Sequence, residues 1–248
     1  MSPISRVFAA PVLALALAGP LALPAAAQSG RIEDRATFDI VLRGVSAGRL
    51  TVTGAQEGNR YTVSGRLEST GIAAMLRKFL YTAQASGTVT NGRYAPARYS
   101  EDANTGKRQS RNSMQFRAGV PVQVVAEPAR DPRPYDVAPA TMRGAVDPVT
   151  ALYATLRDVD AGSECASNQR MFDGRRATQI TLSKPQKQGD RVTCTGEYRR
   201  VAGFSPEDMA EKTRFPFTLT YAPAEQGRMR VIEVSTDTLY GKALMKRR

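Results

Sequence analysis

The segment Asp147-Pro148-Val149-Thr150-Ala151-Leu152-Tyr153-Ala154-Thr155-Leu156-Arg157-Asp158-Val159 constrains this chain most, because it is a well-marked helix in a sequence that otherwise reads as strands. Asp147 suits the N-cap, where its carboxylate accepts from the unpaired N–H groups of the first turn, and Pro148 at the first helical position forfeits no hydrogen bond. Val149, Leu152, Tyr153 and Leu156 recur at i, i+3, i+4 and i+7, which puts four large apolar side chains on one face. Arg157, Asp158 and Asp160 face elsewhere or end the helix. A lone apolar helix among antiparallel strands is most economically buried against the concave side of a curled sheet.

The flanking sequence supplies those strands. Thr37–Leu42 and Arg49–Thr53 alternate apolar and polar residues around Gly44 to Gly48 and predict a first hairpin, and Tyr61–Ser69 predicts a third strand in which Gly65 marks a bend or bulge. Tyr81–Thr90, Arg93–Glu101, Gly106–Phe116 and Val120–Glu127 continue as a meander. Asn91-Gly92 is its clearest hairpin turn. Prolines 128, 132, 134 and 139 then break the rhythm and predict an extended loop crossing to the helix. Ala177–Ser183, Arg191–Val201, Thr213–Ala222, Arg228–Thr236 and a short run at Thr238–Leu244 complete the set. Between the third and fourth strands, Ile72, Met75, Leu76 and Phe79 keep helical spacing within Thr70–Leu80, so a second short helix is expected, covering a core or a barrel mouth in preference to a membrane surface. The expected class is mainly β: a single curled antiparallel sheet or incomplete barrel wrapped around one central helix.

Residues 1–27 carry Arg6, an Ala- and Leu-rich apolar run from Val7, and small residues at Ala25 and Ala27, the pattern of a Sec-type signal peptide cleaved after Ala27. Pro11, Gly19, Pro20 and Pro24 interrupt that run too often for a transmembrane span. Periplasmic export follows, with no span after cleavage. Residues 28–35 read as a disordered leader, 36–245 as a single β-rich domain, and Lys246-Arg247-Arg248 as a basic tail. The two cysteines, Cys165 and Cys194, are expected to form a disulfide in an oxidising compartment.

Lys and Arg number 35 against 23 Asp and Glu, a net charge of +12, or +11 once Arg6 is removed. An exported chain this basic meets anionic head groups or cell-wall polymers rather than nucleic acid. Histidine is absent, which removes Ser-His-Asp and Cys-His nucleophiles and His-containing zinc sites. Catalysis would have to rest on a Ser/Lys arrangement or on a carboxylate pair such as Asp131 with Asp136, or Glu101 with Asp102, and loop carboxylates are usually solvated. No cofactor is expected.

The order of several short motifs resembles a family of exported bacterial proteins, domain-of-unknown-function 3108. The matching stretches are Phe38-Asp39-Ile40-Val41-Leu42-Arg43-Gly44-Val45-Ser46-Ala47-Gly48-Arg49-Leu50, Gly92-Arg93-Tyr94-Ala95-Pro96-Ala97-Arg98-Tyr99, Asp147-Pro148-Val149-Thr150-Ala151-Leu152-Tyr153 and Phe172-Asp173-Gly174-Arg175-Arg176. The resemblance implies a curled antiparallel sheet or incomplete barrel in the envelope, similar in shape to half-barrel lipoprotein carriers, and implies no established reaction. The expected role is non-enzymatic: binding of a lipid or other amphiphile in a cavity lined by Leu152, Tyr153, Leu156, Ile72, Met75 and Phe79. The alternatives are docking of an anionic polymer or an envelope protein on the basic surface and, further off, a carboxylate hydrolase.

Overall fold

The computed structural model describes residues 31–76, 78–238 and 241–248. The expected signal peptide therefore lies outside the described residues. One antiparallel sheet organises the remainder. Its first half is a meander of β1 (Ile32–Leu42), β2 (Val45–Glu57), β3 (Arg60–Ser69), β4 (Leu80–Thr90), β5 (Arg93–Asn104), β6 (Gln109–Arg117) and β7 (Val120–Glu127). Its second half holds β8 (Val159–Asp160), β9 (Asn168–Phe172), β10 (Ala177–Gln188), β11 (Arg191–Ala202), β12 (Arg214–Pro223), β13 (Arg228–Thr238) and β14 (Gly241–Arg247). The strand order is β7-β6-β5-β4-β3-β2-β1-β14-β13-β12-β11-β10-β9, with β8 paired to β13 off the path. First and last strands meet in the middle, and β7 and β9 are the two ends of the path. The sheet is not closed into a barrel.

Turn chemistry explains why the hairpins form where they do. Asn91 and Gly92 both take positive φ, as a two-residue turn of this hand requires, and Ala118-Gly119 adopts the same geometry without the help of an Asn. Irregular register at Ile40/Val41, Ser86/Gly87 and Ser183/Gln186 adds bends that bring the sheet ends round. A Cβ on Gly174, just beyond β9, would lie 2.9 Å from Val124 of β7. The crossing segment seals this seam: Gly144 N–H donates to Gly119 O, Val146 N–H to Arg170 O, and Phe172 N–H to Val146 O.

Several expectations need correction. The leader is partly strand, because β1 starts at Ile32 and pairs with β2 as far as Gln56. The basic tail is a strand as well: Lys246 pairs with both β1 and β13, and Arg247 with β1. Gly65 sits in unbroken register on both sides, so it makes no bulge. The second helix, α1 (Gly71–Leu76), is shorter than its apolar spacing suggests. Phe79 N–H donates to Ser69 Oγ and Ser69 N–H to Phe79 O, which draws the chain back into the β3–β4 ladder at Leu80. A further helix, α3 (Pro206–Glu211), follows β11 and has Ser205 as N-cap and Pro206 in its first turn.

Candidate functional site

The helix α2 (Pro148–Leu156) is held from both ends and from below. At its start, Asp147 Oδ1 accepts from Thr150 N–H at 2.8 Å and Oδ2 from the Thr150 hydroxyl at 2.7 Å, while the Tyr61 hydroxyl lies 3.0 Å from the same Thr150 oxygen. Asp147 is fully buried, and that burial pushes its carboxyl up to about 6 against the opposing pull of its N–H donors. The helix body settles onto a notch where the strands carry no side chain. A Cβ on Gly54 would stand 2.2 Å from the Tyr153 ring, and one on Gly65 2.9 Å from Val149. Gly65 therefore serves close approach of the helix.

Tyr153 crosses this notch to reach Asp34, donating from its hydroxyl at 2.9 Å, and its ring meets Tyr94 edge-on. Asp34 also pairs with Arg228 at 3.3 Å. Beyond the helix, buried Asp158 accepts from Arg230 at 2.8 and 2.9 Å and from Arg247 at 3.0 Å. The residue assigned to a polar helix end and the residue assigned to a basic tail thus form one buried cluster. Of the four side chains expected on a single apolar face, Val149, Tyr153 and Leu156 are buried and Leu152 is only half so, while Thr150, Ala151 and Thr155 are buried too. The helix is covered on more than one side.

Next to Leu152 the packing leaves a cavity of about 390 Å³ between the concave face and the N-terminal half of α2. Leu50, Leu67, Val149, Leu152, Ile180 and Phe204 give it apolar walls. Polar groups enter at one side. Asp173, whose carboxylate accepts from the N–H groups of Arg175 and Arg176, is pushed above the usual carboxylate range by burial. Arg176 lies over the Phe204 ring at 5.1 Å, and its buried Nε has no hydrogen-bond partner among the described residues. Glu101 accepts from the hydroxyls of Tyr81 and Tyr99 and from the Asn112 amide. Burial raises both phenols well above their ordinary value, so they stay protonated donors.

Of the expected cavity residues whose side chains are described, only Leu152 lines this space. Tyr153 and Leu156 belong to the packed core, since the Gly54 notch draws Tyr153 down towards Asp34. Met75 is 86% exposed because α1 ends before it can fold over the core, and Phe79 is half-buried beside Ser69 without reaching the cavity. The Ile72 side chain lies outside the described residues. Of the carboxylate pairs considered for catalysis, one is split between two faces of a strand and the other has a member held by an arginine. Glu101 and Asp102 are adjacent in β5 and point to opposite faces, Asp102 pairing with Arg111 at 2.9 Å, and Asp136 pairs with Arg175 at 2.9 Å. Cys165 and Cys194 are joined, with Cα atoms 5.3 Å apart, tying the loop after α2 to β11. Among the described residues no helix is long and apolar enough to cross a membrane.

Arg176, Asp173, Tyr198 and Phe204 escaped the sequence reading as site residues. Phe172-Asp173-Gly174-Arg175-Arg176 stood out as one of the stretches that carry the family resemblance and as a tight turn or strand start, and nothing in its spacing reveals that it faces a helix.

Among solved structures the fold is similar to the crystal structure of a beta-barrel-like protein of domain of unknown function DUF1849 from Brucella abortus, at 11% identity and a TM-score of 0.47, covering 88% of this chain and 96% of that one. No curated protein matches. The family model described as "Protein of unknown function (DUF3108)" matches residues 37–246, from within β1 to within β14, and the chain belongs to that family.

Proposed function

We propose that this protein is a non-enzymatic, periplasmic component of the cell envelope that binds a lipid or other amphiphile inside its incomplete barrel. The observation that carries this reading is the cavity of about 390 Å³ beside Leu152, apolar on its walls and polar at one side. Its size falls in the range of small-molecule sites, roughly 300–1,000 Å³. Apolar walls favour a chain of CH₂ groups, each contributing about 0.8 kcal/mol when taken from water. The unpartnered Nε of Arg176 offers an anionic head group a charge-assisted hydrogen bond. The disulfide suits an oxidising compartment, and the excess of Lys and Arg suits anionic membranes.

The test is uptake of the apolar dye N-phenyl-1-naphthylamine, followed by displacement with palmitate. Leu152→Trp fills the cavity from a half-buried position and is expected to abolish dye uptake with little change in melting temperature. Absence of uptake by the unmodified protein, or equal uptake by the variant, would overturn the reading.

A further inference from the structure

The C-terminal end of α2 borders a second cavity, of about 890 Å³, which shares no wall residue with the first. Its character is the reverse. The wall carries Arg93, Arg157 and Arg170 against one carboxylate, Asp160, and between them stand hydroxyls and amides including Ser163, Asn168 and Gln169. Among the described residues none of the three arginines has a carboxylate within ion-pairing distance. Two arginines in the adjoining hollow behave otherwise: Arg228 pairs with Asp34 and Arg31 with Glu33.

Arg157 is the most telling of the three. One of its terminal nitrogens donates to Asp158 O at 3.2 Å, whereas its buried Nε has no acceptor among the described residues. A buried guanidinium N–H without an acceptor among the described residues is an unmet donor, which an ordered water or a bound anion can satisfy. The Arg157 charge also reaches the phenols of Tyr94 and Tyr221, where it partly offsets the rise that burial imposes on them. The guanidinium fork matches two oxygens of a phosphate, and the amides and hydroxyls around it match the hydroxyls of a sugar.

We infer that this cavity is a binding site for a small phosphorylated sugar, with Arg157 as the central phosphate ligand and Arg93 and Arg170 as flanking cations.

Isothermal titration of the exported chain with glucose 1-phosphate, glucose and inorganic phosphate tests this. Saturable binding of glucose 1-phosphate is expected, with inorganic phosphate weaker by about tenfold or more and no binding of glucose, since both halves of the ligand are read. Arg157→Gln should weaken binding by about tenfold or more, as should the paired exposed changes Arg93→Gln and Arg170→Gln, which keep the test alive if Arg157→Gln unfolds. Arg191→Gln, on an exposed hairpin away from the cavity, should change nothing. No saturable heat with glucose 1-phosphate, inorganic phosphate binding as tightly as the sugar phosphate, or an equal loss in Arg191→Gln would overturn the assignment.

Discussion

Replacing Gly54 by alanine is the sharpest probe of how the helix is seated. The added Cβ would lie 2.2, 2.3 and 2.8 Å from three atoms of the Tyr153 ring, far inside van der Waals contact. That ring has little room to retreat, because its hydroxyl is held by Asp34 and its edge by Tyr94. Overpacking of this kind costs about 1–3 kcal/mol, and the reduced entropy of the unfolded chain returns about 0.4–1 kcal/mol. A net loss of about 2 kcal/mol is expected, or roughly 4–8 °C in melting temperature for a chain of this size. Gly65→Ala meets one methyl group at 2.9 Å and should lose less. Urea denaturation followed by far-ultraviolet circular dichroism measures both. The double change Gly54→Ala with Tyr153→Leu should be less destabilising than the two single losses added together, since the shorter side chain vacates the space. A Gly54→Ala protein as stable as the parent would refute the notch.

Three further predictions follow from the geometry. Cys194→Ser opens a loop spanning 29 residues and should lower stability by about 3–4 kcal/mol in denaturant; an unchanged midpoint would contradict the staple. Asp158→Ala leaves Arg247, whose side chain is 8% exposed, without its carboxylate, and should cost about 3–5 kcal/mol, whereas a loss under about 1 kcal/mol would mean the cluster is dispensable. The Asp147 carboxyl is raised from 3.8 to about 6, so the fold binds its proton more tightly than the unfolded chain does. Its contribution is complete below pH about 4 and is lost as pH rises through about 6, on the order of 3 kcal/mol in all. Half-buried Asp39 and Asp102, both lowered by arginine partners, slope the other way. Their effect is common to the parent and to Asp147→Asn, so the difference between the two stability profiles isolates Asp147. Parallel profiles from pH 4 to 6 would refute its buried, protonatable state.

Local signals carried much of the fold. Asn91-Gly92, the alternating strands and the Asp147-Pro148 start each encode their conformation within a few residues, and the strands and the helix start stand where those signals put them. Ser205, Pro206, Glu207 and Asp208 held an equally good helix start for α3, and it went unread. What escaped was charge burial over long separations. Arg247 reads as solvated tail because its partner Asp158 is 89 residues away, and Asp34 reads as leader because Tyr153 is 119 residues away. The cavity shared that fate. Leu152 was legible from helical spacing, but Arg176 and Phe204 reach the same space from distant turns that only the curled arrangement of the sheet brings together. The expectation for Met75 and Phe79 failed because spacing alone does not show that the ladder resumes at Leu80.

The amphiphile reading is tested most directly by native mass spectrometry with lipid extraction, on protein purified gently from its own host. The account predicts a stoichiometric bound amphiphile that carries an anionic head group and is absent from the Leu152→Trp variant. A protein that arrives empty, and stays empty when offered the host's extracted lipids, would contradict it.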